Sequence, residues 1–104
     1  MTRKDILMKA DQCVNGQREH DYGTPEDNFR RIADLWSTYL DRIVTPVDVS
    51  MMMCLLKIAR VSTSESPIGP TDDCFIDIAG YAACGGELKA KTAIFDPDSE
   101  PISI

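Results

Sequence analysis

Two segments of this chain would be apolar around most of their circumference if wound as helices, yet each carries charge. They are Val49-Ser-Met-Met-Met-Cys-Leu-Leu-Lys57-Ile-Ala-Arg60 and Asp72-Asp73-Cys-Phe-Ile-Asp77-Ile-Ala-Gly-Tyr81. Helices of this kind belong at the centre of a fold or against another chain. Lys57 and Arg60 are three residues apart and share one side of their helix; Asp73, Asp77 and Tyr81 are spaced by fours and form one stripe of theirs. Burying ions without partners costs several kcal/mol. The four charges are therefore expected to pair with one another or with a ligand.

The remaining segments read as helices joined by short connections. Thr2 with Asp5 resembles a capping box, and Ile6, Leu7, Ala10, Cys13 and Val14 follow helical spacing, giving a first helix over about residues 3–15 with Asn15-Gly16 as its stop. Gln17 to Gly23 is polar apart from Tyr22, shows no period, and reads as a loop. Thr24-Pro25-Glu26-Asp27 opens a second helix to about residue 42, with an apolar stripe of Phe29, Ile32, Ala33, Trp36, Tyr39, Leu40 and Ile43. Thr45-Pro46-Val47-Asp48 repeats that start for the apolar helix at 46–61. Residues 62–70 form a turn-rich connector with the composition of a mobile flap, and the last helix spans about 72–86 before Gly85-Gly86 weakens it. The reading is an all-α, four-helix domain over residues 1–90, followed by an acidic, proline-punctuated tail at 91–104 in extended or disordered form. Two such apolar helices in 104 residues also point to a homo-oligomer.

Charge and cysteine usage narrow the function. A net charge of −6 argues against bulk nucleic-acid binding, which needs a basic face, but leaves room for a small anion in a local basic pocket. No apolar run is long enough to span a membrane and the first residues lack a secretory core, so a cytoplasmic location is expected. Cys13, Cys54, Cys74 and Cys84 are widely spaced among apolar residues and read as reduced core thiols; with His20 the one histidine, the spacing does not suit structural zinc.

Three constellations could carry chemistry. Asp73 and Asp77 could hold a divalent cation such as magnesium, or Asp77 could simply pair with Lys57 or Arg60. Lys57 and Arg60 suit a phosphate, or serve only to neutralise the aspartates and fix helix register. In the segment Arg18-Glu-His-Asp-Tyr22-Gly23, Tyr22 could stack a base while Arg18 and the following helix start attract phosphate; an ordinary turn in which Gly23 supplies a special dihedral is the plainer alternative. Asn28, one turn into the next helix, could read a base edge or orient a carboxylate. Met51-Met52-Met53 and Trp36 read as core.

The pattern Arg18-x-x-x-Tyr22-Gly23-x-Pro25-x-x-Asn28-Phe29, then Asp48-Val49 to Lys57-Ile58-Ala59-Arg60, then Asp73-x-x-x-Asp77-Ile78-Ala79-Gly80-Tyr81, resembles a family of small phage and prophage proteins of uncharacterised function over about residues 6–86. More remotely, the Asp-Tyr-Gly, Lys-Ile-x-Arg and Asp-x-x-x-Asp-x-x-x-Tyr elements are similar to nucleotide-modification-associated domains of phages and to all-α nucleotide pyrophosphohydrolases of the MazG type. The resemblance implies magnesium held by acidic pairs on two helices. Here Asp73 and Asp77 match the later pair, but Lys57 and Arg60 stand where the earlier acids would be.

The leading expectation is a phage-derived protein that binds a phosphate-bearing nucleotide or nucleotide signal between chains, sequestering it as counter-defence proteins do. Arg18, Lys57 and Arg60 would meet phosphate, Tyr22 the base, and Asn28, Asp73 and Asp77 would orient the ligand or its cations. The alternatives are a magnesium-dependent pyrophosphohydrolase using Asp73 and Asp77, and a non-catalytic interaction module whose charges are internal ion pairs.

Overall fold

The helix starts follow one chemical rule. In the computed structural model, which describes residues 1–63 and 70–92, helix α1 (Arg3–Gln12) opens on a reciprocal box: Thr2 N donates to Asp5 Oδ2 at 3.0 Å and Asp5 N donates to Thr2 Oγ1 at 3.2 Å. The start of α4 (Pro46–Thr63) repeats it, with Thr45 N to Asp48 Oδ2 at 3.0 Å and Asp48 N to Thr45 Oγ1 at 3.1 Å. At α3 (Pro25–Leu40), Thr24 Oγ1 accepts from Asp27 N at 3.3 Å and Pro25 occupies the first turn, where no N–H is needed. Helix α5 (Pro70–Thr92) completes an all-α fold without a strand among the described residues. No helix among them is long and apolar enough to cross a membrane.

The first rod departs from the expected helix-then-loop. After Gln12 the chain widens into a π turn at Cys13–Gln17 and continues as a short helix, α2, at Arg18–Tyr22. Asn15-Gly16 is therefore not a stop. Asn15 Nδ2 donates to Asp11 Oδ1 at 2.6 Å, and Val14 packs so closely on α5 that a Cβ at Gly80 would lie 3.0 Å from Val14 Cγ1. These contacts keep the segment wound. The stop comes at Gly23, whose φ of +81° is left-handed and whose N–H donates to Glu19 O at 2.9 Å. The polar composition of 19–23 reflects exposure, not irregular backbone.

Helices α4 and α5 run antiparallel as a closely packed pair; α3 packs on α4, and α1 with the π turn packs on α5. The pair is pinned along its length by the Ser50 hydroxyl donating to Tyr81 O, by Cys54 Sγ reaching Ile78 O at 3.7 Å, and by Lys57 Nζ meeting Asp77 Oδ2 at 2.8 Å. Close approach depends on Gly85, where a Cβ would come 2.9 Å from Ser50 Cβ. The core beneath this pair centres on Phe29, Ala33, Val49, Cys84 and Leu88, with Trp36, Met53 and Tyr81 packed around it. Phe29 and Tyr81 rings sit 6.1 Å apart.

Four expectations change here. The apolar stripe of α3 is buried only in its first half: Phe29 and Ala33 are buried, whereas Tyr39 and Ile43 are 88% and 91% exposed. Helix α4 is central on one side only, since Met51, Met52, Leu55, Leu56 and Ile58 all remain open to solvent. Cys13 is exposed, in contrast to buried Cys54, Cys74 and Cys84, all four being free thiols. Burial pushes the Cys54 thiol up. The last helix also runs past Gly86 to Thr92. The connector and tail expectations fall on residues 64–69 and 93–104, outside the described residues.

The turn between α3 and α4 is held by one hydroxyl. Ser37 Oγ accepts from Val44 N at 2.8 Å and donates to Val44 O at 3.2 Å, while Asp41 takes the left-handed position that ends α3. Lys91 near the end of α5 ties back to α3 by donating to Glu26, and also meets Glu87 at 3.0 Å.

Two predictions follow from these contacts. Gly85→Ala gains about 1 kcal/mol of helix propensity but drives a methyl into buried Ser50, so a net loss of about 1–3 kcal/mol is expected from overpacking. Gly86→Ala, with open space around it, should be neutral or stabilising; urea midpoints at unchanged slope compare the two. The Lys91 hydrogen bond holds the Glu26 carboxyl below its ordinary range. Its contribution is therefore present above the unfolded-state pKa and lost as pH falls through the folded one. Thermal melts should show Glu26→Gln below the parent at neutral pH and the two converging in acid.

Candidate functional site

Between the first rod and α5 lies a cavity of about 230 Å³. Asp21 and Tyr22 enter it from α2, Cys13 and Val14 from the π turn, and Asp77, Tyr81 and Cys84 from α5, with Ile76 and Gly80 completing the wall. The sequence explains the geometry locally. Residues 77, 80, 81 and 84 recur at helical spacing and so line one side of α5. Gly80 lets Val14 approach, bringing the whole first rod against that side.

Two of the expected site residues, Tyr22 and Asp77, thus meet from 55 positions apart in the chain. Lys57 joins them through its ion pair with Asp77; its side chain is 15% exposed and that of Asp77 38%. A pair this sheltered is screened less by solvent than one on the open surface, and removing one partner leaves the other inadequately solvated. The pair also fixes which turn of α4 faces which turn of α5. Both of its alternative roles, register and site wall, are compatible with this position.

The other expected residues are placed differently. Asn28 is half-buried in a small adjoining cleft with Glu19, Gly23 and Phe29, separated from the main cavity by Val14, which lines both. Arg60 and Asp73 are exposed, one turn beyond Lys57 and Asp77 respectively. The antiparallel register sets them nearly level, but among the described residues neither makes an ion pair. Four charges were expected to form one cluster; a single pair forms. Arg60 and Asp73 lie on exposed turns, where a bridge would gain little. The Arg18 backbone begins α2, but its side chain lies outside the described residues.

Sequence reasoning missed Asp21, Tyr81, Cys84 and Cys13 as cavity residues. The first two were within reach: Asp21 adjoins Tyr22, and Tyr81 continues the Asp73–Asp77 stripe. Cys13 was not, because its place depends on the π turn. Among the described residues no group of three acids, cysteines or histidines is arranged to hold a metal ion. The cavity offers instead carboxylate acceptors, phenol rings and, at its edge, one ammonium group. A second cleft, lined by Pro46, Val47 and Leu88 with Arg30 and Lys91 at its margin, is less suited to an anion. Of the three cations that line it, Arg30 is engaged by Asp27 at 3.0 Å and Lys91 by Glu26 and Glu87, Lys89 being the third.

Comparison with known proteins places this chain. It is 42% identical over 81 residues to the Gene 55 protein of Mycobacterium phage D29, an alignment covering 78% of this chain and 51% of the relative. With the Gene 55 protein of Mycobacterium phage L5 the identity is 47% over 78 residues, covering 74% and 47% respectively. The chain spans about half the length of these curated relatives. No solved structure matches it. A family model described as Domain of unknown function (DUF6378) matches residues 5–89, which include every residue of the cavity, and the chain belongs to that family.

Proposed function

We propose that the cavity recognises the nucleoside part of a phosphate-bearing nucleotide or nucleotide signal, binding it without turnover. The observation that carries this reading is the convergence of Tyr22 and Asp77 in one cavity, with Lys57 bonded to Asp77 at its edge. A volume of about 230 Å³ lies below the ~300–1,000 Å³ typical of drug-sized ligands, a scale suited to a base with its sugar and not to a dinucleotide. Tyr22 and Tyr81 supply aromatic surface for stacking, worth roughly 1–3 kcal/mol per base. Asp21 and Asp77 supply acceptors for exocyclic amino or sugar hydroxyl groups. Phosphates would extend toward Lys57 and, a turn beyond, Arg60. Asn28, from the adjoining cleft, and Asp73, a turn beyond Asp77, would be secondary contributors, as would Arg18, whose side chain lies outside the described residues.

Sequestration fits these residues better than hydrolysis. A MazG-like pyrophosphohydrolase would need Asp77 with Asp73 to hold magnesium, and Asp77 already has an ammonium 2.8 Å away competing for the same oxygen. The phage origin of the matched relatives supports a role inside an infected cell, where withdrawing a nucleotide signal would counter host defence.

The test is a panel of linear and cyclic nucleotides, with and without magnesium, read by thermal stabilisation and by product formation. At least one nucleotide should raise the melting temperature, by the equivalent of about 2.7 kcal/mol at a hundredfold excess over Kd, with no product in either arm. Tyr22→Ala should abolish that shift and Asp77→Asn should weaken it. Absence of any shift across the panel, or a shift that survives Tyr22→Ala intact, would sink the proposal; magnesium-dependent product would favour the hydrolase.

A further inference from the structure

We infer that the cavity between the first rod and α5 is specific for guanine, read by the carboxylate of Asp21. The inference rests on the nucleotide reading and sharpens it by naming the base. Its starting point is an imbalance in the polar lining. Among the described residues, the side chains that line the cavity bring two carboxylates, Asp21 and Asp77, two phenols, Tyr22 and Tyr81, and two thiols, Cys13 and Cys84. No amide, imidazole, guanidinium or ammonium is among them. A carboxylate only accepts hydrogen bonds, a phenol donates one, and a thiol donates weakly. The lining is thus rich in acceptors and poor in donors, and a ligand that fits it must bring donors of its own.

Among the common bases one edge meets that demand. Guanine presents a ring N–H and an exocyclic amino group side by side, two parallel donors that can meet both oxygens of one carboxylate as an arginine fork does. Adenine and cytosine each set an amino group beside a bare ring nitrogen, and uracil sets its N–H between two carbonyls. Against a carboxylate, each of these brings one lone pair to face another. Exclusion of the wrong bases therefore comes from the same group that recognises the right one.

The order of groups along a nucleotide decides which acid reads the base. Phosphate, sugar and base follow one another, and the Lys57 ammonium at the cavity edge marks the phosphate end. Asp77, bonded to Lys57 at 2.8 Å, then lies beside the sugar, whose hydroxyls are donors too. Asp21 comes from α2, across the cavity from α5, and adjoins Tyr22 in sequence, so one short helix supplies both the stacking ring and the acceptor edge. The Tyr22 side chain is 62% exposed, which leaves ring surface for a base to cover. Asp21 is also held by an interaction within the chain; with about four acceptor positions, a carboxylate accommodates two further donors.

Calorimetric titration of the full chain with the linear and cyclic monophosphates of guanosine, adenosine, cytidine, uridine, inosine and xanthosine tests this. The guanosine nucleotides should bind tightest, by roughly 5- to 150-fold over those of adenosine, cytidine and uridine. Inosine, which keeps the ring N–H but lacks the amino group, should fall in between. Xanthosine, with a carbonyl where guanosine has that amino group, should be weak in the parent. Asp21→Asn should reverse the order of the last pair: its amide donates to the carbonyl while accepting from the ring N–H, so xanthosine affinity rises as guanosine affinity falls. A gain of binding does not arise from misfolding. Asp77→Asn should lower the affinity for every base alike. A nucleotide of another base that binds as tightly as guanosine's overturns the inference, as does a folded Asp21→Asn variant that keeps the guanosine preference. In either case binding that is lost with Tyr22→Ala leaves the nucleotide reading standing, whereas no binding by any of these nucleotides overturns both.

Discussion

The close antiparallel contact of α4 and α5 is the constraint on which the rest depends. Gly85 permits it, Ser50 fills the space that results, and the Ser50 hydroxyl satisfies itself on the Tyr81 carbonyl of the facing helix. A buried hydroxyl with a fixed partner selects one register where apolar side chains alone would tolerate several. From that register the Lys57–Asp77 pair follows two turns along. The core beneath and the cavity beside α5 are both consequences, since each needs Tyr81, Cys84 and Asp77 to point the same way.

Seen in section, the pair divides the molecule into two environments. On one side α1, the π turn and α3 cover it, and there the sheltered ion pair, the tyrosines and the cavity collect. On the other no described element covers it, and Met51, Met52, Leu55, Leu56, Ile58 and Phe75 are open to solvent among few charges. Each helix carries both surfaces, which explains why neither shows a narrow apolar stripe. Near-uniform hydrophobicity around a helix in this chain records two different surroundings on two sides.

Much of the architecture was legible because its signals are local. Thr2, Thr24 and Thr45 each announce a helix through a side-chain oxygen that accepts from the N–H three residues on, and all three do so. The pairing of Lys57 with Asp77 was legible because ions in apolar helices need partners. Arg60 and Asp73 carry the same signal in sequence but lie on exposed turns, and nothing in their spacing distinguishes a sheltered turn from a solvated one. The exposure of Tyr39 and Ile43 was equally hidden: periodicity identifies the side of α3 that is apolar, not how far along its length a neighbour extends. Asn15-Gly16 misled because a stop signal is a local preference, here outweighed by Val14 packing against Gly80.

The π turn has a consequence for the cavity that is a matter of phase. A π turn holds one residue more than an α turn covering the same rise, and that residue rotates everything after it by roughly 100° about the helix axis. Asp21 and Tyr22 come after it, Val14 within it. Were the same rod wound as an uninterrupted α-helix, Val14 could keep its seat on Gly80 while Asp21 and Tyr22 swung away from α5. The rim of the cavity is therefore set by a count of residues as much as by their identity. Relatives that differ in length between Gln12 and Tyr22 would present a differently shaped opening over the same floor of α5.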